Sequence, residues 1–330
     1  MKIRLPERIT MSNNATTKPP YSSFVGLCSF DGVARDHSSA FNAVKFLISL
    51  IIALMSPIAV TGNALILMTI WTNPSLRTAS SIILCGLAFT DFCTGLVTQP
   101  FFVAAEMICL KKPQEIADSL SFLVIAKVIA EVCGTYLIAL TVLVMTFMSN
   151  ERWLHMSARR SLVTSRRVRF ILVGLFLLPI PAPIFRSFQL LEGKHGLVLN
   201  IISFAVLFLC LFATSTAYFK VFRIIRHHQQ QVRTSEPSQN FGQPAIDLAK
   251  YKKSVLSILH IVLLFYLSYL PFLVFLGVHS SFQNHSQVDL AFLVANLFFF
   301  VSSSVNPFIY LCRMTDIRNG VRQLLKKLCC

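Results

Sequence analysis

The chain has 330 residues, 55% of them apolar and 13% charged, with a formal net charge of +16. A soluble protein carries about a quarter charged residues, so this composition excludes an ordinary water-soluble domain. The basic excess does not point to nucleic acid either, because the Lys and Arg residues flank long apolar blocks, where such residues set membrane orientation.

The blocks fall at roughly 42–71, 79–106, 120–150, 170–190, 197–222, 254–278 and 288–312. About 20 apolar residues let a helix cross the hydrocarbon. In lipid the backbone must satisfy its own hydrogen bonds, which leaves helices or a closed barrel. These blocks are too long for barrel strands of about 10 residues and lack a period of two. The predicted fold is all-α: a seven-transmembrane-helix bundle over residues 41–313, after a polar N-terminal tail at 1–40.

The flanks predict the orientation. With the N-terminus extracellular, 19 of the 30 Lys and Arg residues fall on the cytoplasmic side, against only Glu151, Glu236, Asp247 and Asp316 of the acids. Seven spans then leave the C-terminus in the cytoplasm. Met1 to Thr10 carry no apolar run, so the first segment is expected to direct insertion. Asn14 and Asn284 head Asn-x-Ser/Thr glycosylation triplets and both fall outside in this topology. Cys28 and Cys109 are the two cysteines on that face outside an apolar run. They either form a disulfide or stay as free thiols, since sequence does not fix geometry.

On the other face, Gln229 to Gln243 reads as a linker rich in Gln, with Pro237 and Gly242. Residues 314–330 form the last unit. Ile317, Val321, Leu324, Leu325 and Leu328 share one helical face there, opposite Arg318, Arg322, Lys326 and Lys327. That pattern predicts a short amphipathic C-terminal helix lying on membrane lipid. Cys329 and Cys330 beside the lysines suit palmitoylation, or remain unmodified.

Polar groups deep in apolar helices are expensive and are functional candidates by default. Asn63 lies in the first segment, Asp91 in the middle of the second, and Asn306 opens Asn-Pro-x-x-Tyr in the seventh. Thr141, Ser302 and Ser303 can share one network with them, or any of these groups can be ordinary packing glue. Pro271 and Pro307 remove backbone hydrogen bonds inside helices and permit kinks.

The order of these residues resembles the rhodopsin-like G-protein-coupled receptors, from about residue 42 to the C-terminus. It runs Gly62-Asn63, then Leu87-Ala88-x-x-Asp91, then Glu151-Arg152-Trp153, then Tyr218, then Phe265 six residues before Pro271, then Asn306-Pro307-x-x-Tyr310. The resemblance implies that Glu151 restrains Arg152 at rest, and that Arg152 meets a heterotrimeric G protein once the sixth helix swings outward. Tyr218 and Tyr310 would stabilise the opened form, and Tyr269 stands where the family has a sixth-helix tryptophan. Asp91, Thr141, Ser303 and Asn306 match the set that holds an allosteric sodium ion; no other cofactor is implied.

The departures narrow the likeness. Lys127 replaces the usual third-helix cysteine, the loop from Arg186 to Gly196 has none, Gly174 stands near the missing fourth-helix tryptophan, and Cys210 replaces the fifth-helix proline. Together they resemble the melanocortin, lysophospholipid, cannabinoid and adenosine receptor group. Gly134 at the amine-binding position, Phe300 at the retinal lysine and Leu276 at the adenosine-binding asparagine argue against those three ligands. Glu131 matches an acid that meets ligand in melanocortin and sphingolipid receptors. Phe101 and Lys127 replace the other melanocortin acids, which leaves a calcium site short of oxygens.

The expected ligand is an extracellular small peptide or amphiphilic lipid whose charged end meets Glu131 or Lys127, with Phe101, Ile138, Phe272 and Leu273 lining the rest. The alternatives are an adenosine-like small molecule or a receptor active without ligand. Lys127 and Glu131, four residues apart, can instead simply pair with each other. Tyr251 stands where many members carry a restraining acid, so ligand-free signalling is expected. A channel or transporter is the chief rival class, but rings of charge and inverted repeats are missing from the sequence. An enzyme is not expected, since the chain lacks His-Glu-x-x-His and Gly-x-Ser-x-Gly elements.

Overall fold

A computed structural model describes residues 28, 39–157, 164–185, 197–234, 263, 266–271, 274–275 and 285–329. Among them, six helices are long and apolar enough to cross a membrane: Ser39–Thr72, Ala79–Ile108, Leu120–Ser157, Ser165–Phe185, Phe204–Ile224 and Asp289–Cys312. They are the first, second, third, fourth, fifth and seventh segments. Of the sixth, the described residues include Tyr266 to Pro271, which are helical. The Arg186 to Gly196 loop, Tyr251, Phe265, Phe272, Leu273 and Leu276 lie outside the described residues, as do Asn14, Asn284 and Cys330.

The segments form an all-α bundle in which the third helix is central, packing against the second, fourth and fifth, while the first packs against the second and seventh. Local chemistry sets the helix ends. Thr78 caps the second helix by accepting from the Ser81 N–H at 3.3 Å, and Thr164 caps the fourth by accepting from Arg167 at 3.4 Å. A side-chain oxygen in that position satisfies an amide that has no partner in the first helical turn.

The second helix carries a π-helical turn at Thr94–Thr98, just before Pro100. Such a turn rotates everything beyond it relative to what precedes. It also brings Gly95 so close to the first helix that an added Cβ would lie 2.7 Å from Ala59 Cβ. Ser56 Oγ donates to the Gly95 carbonyl at 2.8 Å and fixes the contact.

Helices run past the apolar blocks. The fifth continues to Thr234, so Gln229 to Thr234 are helical rather than linker. Gln and Arg are good helix formers and extend a turn already nucleated in the membrane. The C-terminal helix spans Thr315–Cys329 and buries Ile317, Val321 and Leu324, with Lys326 and Lys327 exposed. It packs on the first and seventh helices.

Candidate functional site

Among the described residues, two polar assemblies interrupt the apolar interior. The first is at mid-bundle. Asp91 on the second helix and Asn306 on the seventh are 1% and 4% exposed, and Asn306 Nδ2 donates to Asp91 Oδ2 at 2.7 Å. Asn63 Nδ2 donates both to Ala59 O at 2.8 Å and across to Ser303 O at 3.0 Å, so its amide joins the first helix to the seventh. Ser303 lies beside Asp91. Ser302 is not part of this network: its hydroxyl donates to Phe299 O at 2.7 Å, a backbone acceptor one helical turn back. Thr141 on the third helix lies against Tyr269. Asn306 Oδ1 and the Tyr310 hydroxyl are buried with no hydrogen-bond partner among the described residues.

Pro307 is seated on Gly62, where an added Cβ would lie 2.9 Å from the proline ring. The missing side chain at Gly62 is what lets the seventh helix approach the first beside Asn63. Tyr269 packs edge-on against Phe299 with centroids 5.9 Å apart, which links the sixth segment to the seventh.

The third helix leads from this core to the Arg152 end. Glu151 is buried, and its Oε2 lies 3.7 Å from Arg152 Nε. Ser80 on the second helix donates to both Glu151 oxygens at 3.4 Å. Tyr218 on the fifth helix is close to Ser149 and Arg152. Lys220, also on the fifth, stacks over the Trp153 ring at 3.9 Å, a cation–π contact. Tyr266 bonds to Ser215 and donates to Leu211 O at 2.9 Å, tying the sixth segment to the fifth.

The second assembly lies at the opposite end of the bundle. Lys45 Nζ on the first helix is 2.6 Å from Glu106 Oε2 on the second, with side chains 5% and 9% exposed. Lys127 is within electrostatic reach of Glu106, Lys45, Glu131 and Asp289, with Glu106 acting most strongly. Among the described residues, the Lys127 and Glu131 pair considered from sequence therefore belongs with Lys45, Glu106 and Asp289 to a group of charges drawn from four helices. Lys45, Glu106 and Asp289 were not singled out from sequence. Their available signal was lone charges of opposite sign at the same depth of three apolar blocks, which become one group only when the helices are placed in register. Phe101 lies close by, packed against a small apolar cluster that holds Ala105, Ile108, Ile116, Leu123 and Ala126 with Cys28 and Cys109. Those two cysteines are joined in a disulfide with Cα atoms 5.4 Å apart. Ile138 packs deeper, on the main apolar core.

The apolar helices define a multi-pass membrane protein. The family described as 7 transmembrane receptor (rhodopsin family) matches residues 185–310. That stretch is a little over a third of the chain and takes in the fifth and sixth segments and most of the seventh; over it the chain is similar to that family. A comparison with curated proteins finds no match.

Proposed function

We propose that the chain is a plasma-membrane receptor that passes the binding of an extracellular ligand to a heterotrimeric G protein by outward movement of the sixth helix. The observation that carries this is the Asp91–Asn306 bond, which closes the bundle between residues 215 positions apart. At the far end of the third helix, Arg152 is held beside the buried Glu151. A switch needs two arrangements of similar energy, and a ligand activates only by preferring one of them. A weak 3.7 Å acid–arginine contact is suited to release.

The N-terminus would lie outside. The positive charges gather at the Arg152 end, as cytoplasmic flanks do. The disulfide lies at the other end, and disulfides persist in oxidising compartments. Asp91, Thr141, Ser303 and Asn306 would hold a sodium ion at rest, and the buried Asn306 Oδ1 supplies an oxygen suited to it. Such an ion would supply positive charge to the Asp91 carboxylate. The ligand is a small peptide or amphiphilic lipid with its charged end at Glu131 or Lys127, after the pattern of the melanocortin, lysophospholipid and cannabinoid group. Cys329, the last residue of the C-terminal helix, and Cys330 would carry palmitate; Asn14 and Asn284 would carry glycans.

Cells expressing the chain with reporters for every G-protein class should show second-messenger output without added ligand, rising with surface expression. The Arg152→Ala variant at equal surface expression should return it to background. Silence in every class, or a membrane current that needs no G protein, counts against the receptor reading.

A further inference from the structure

The contact between the third and fifth helices can be followed turn by turn toward Arg152. Thr214 Oγ1 donates to Thr146 Oγ1 at 3.4 Å. One turn further, Tyr218 lies beside Ser149 and Arg152. Last comes Lys220, whose Nζ stands 3.9 Å from the centre of the Trp153 ring. Trp153 is half-buried and Lys220 is exposed. Lys220 lies one turn before the end of the apolar span Phe204–Ile224.

A lysine at such a depth ordinarily extends its ammonium to water. Here the ammonium sits on the face of an indole from another helix, and tryptophan is the ring whose quadrupole attracts a cation most strongly. Arg223 makes a similar contact with Phe219 at 4.6 Å. Both of those residues belong to the fifth helix, so that contact joins no two elements. The Lys220–Trp153 contact does, and its ring belongs to the residue directly after Arg152.

We propose that Lys220 and Trp153 are positioning residues for the Arg152 switch: their contact clamps the fifth helix onto the third and keeps the Tyr218 hydroxyl within reach of the arginine. Arg152 then has two alternatives. Glu151 Oε2 lies 3.7 Å from its Nε, and the Tyr218 hydroxyl can accept from a guanidinium. With the clamp closed, an arginine leaving Glu151 has an acceptor at hand. With the clamp lost, the fifth helix is free to draw Tyr218 away, and Glu151 keeps the arginine. The clamp therefore favours the opened form. An exposed cation–π contact shifts such an equilibrium by about two- to fivefold, which makes it a modulator of the switch and not its trigger.

This role rests on the receptor reading, but the clamp itself is testable without it. The chain holds two tryptophans, Trp71 and Trp153. Trp71→Phe in the full-length chain leaves Trp153 as the sole indole, and all variants are compared in that background in lipid nanodiscs. Acrylamide quenching of the Trp153 emission should increase in Lys220→Gln, which uncovers the ring. It should stay at the parent level in Lys220→Arg, whose guanidinium stacks on an aromatic face. Ligand-free GTP uptake by purified heterotrimers should fall about two- to fivefold in Lys220→Gln and in Trp153→Leu. It should recover in Lys220→Arg and fall no further in the Lys220→Gln/Trp153→Leu double variant, since both changes remove one contact. Unchanged quenching in Lys220→Gln would overturn the clamp. Uptake that is unchanged or raised in Lys220→Gln, that Lys220→Arg does not restore, or that falls additively in the double variant would overturn the positioning role. No uptake with the parent chain would overturn the receptor reading and the role that rests on it, while quenching still decides the clamp.

Discussion

At the scale of single residues, Asp91 and Asn306 form the most consequential contact. Each is buried, and each is the other's partner at 2.7 Å. Removing one takes from the other the partner that joins the two helices, so the two deletions should not add. In a double-mutant cycle with Asp91→Ala and Asn306→Ala, followed by denaturant titration in lipid, the coupling should be about 1–3 kcal/mol, as for hydrogen bonds to charged groups. Additive losses would show that the contact contributes nothing. The positions of Asn63, Asp91 and Asn306 were legible in the sequence because isolated polar residues stand out in apolar blocks. Their partners were less so. Ser302 and Ser303 are adjacent and chemically identical, and only helical phase sends one to the backbone at Phe299 and places the other beside Asp91. The same limit hid Lys45, Glu106 and Asp289. A charge near the end of an apolar block usually snorkels to water, and nothing along one helix shows that three others bring it partners.

At the scale of elements, small residues decide how closely helices approach. Gly62 admits Pro307 and Gly95 admits the first helix. Gly320 seats the C-terminal helix, where an added Cβ would lie 2.7 Å from Thr69 Cγ2 and 2.9 Å from Leu76 Cδ1. Gly320→Val should therefore lift that helix while leaving the bundle intact. Overpacking of this kind costs about 1–3 kcal/mol. Hydrogen exchange should rise across Thr315–Cys329, with exchange in the third and seventh helices unchanged. Unchanged exchange in the C-terminal helix would contradict the seating. The amphipathic face of this helix was readable from its 3.6-residue period, and Ile317, Val321 and Leu324 are buried. Helix ends were not, because hydropathy marks where lipid stops and not where hydrogen bonding stops. The fifth helix, continuing to Thr234, is the clearest case.

For the whole molecule, the polar contacts are spaced along the bundle with apolar packing between them. The disulfide and the Lys45–Glu106 pair hold one end. The Asp91–Asn306 bond joins the second and seventh helices in the middle, and the Glu151–Arg152 contact lies at the other end. The segments alone establish an all-α membrane bundle; it is the ordered polar residues, together with the match over residues 185–310, that support a receptor. On the proposed reading, the Arg152 end opens to a G protein. Nucleotide exchange on purified heterotrimers is its most direct test, with the chain in lipid nanodiscs and no other membrane protein present. The chain should accelerate GTP uptake by at least one heterotrimer class, and Arg152→Ala should abolish the acceleration. Exchange rates equal to those of empty nanodiscs for every class would contradict the account.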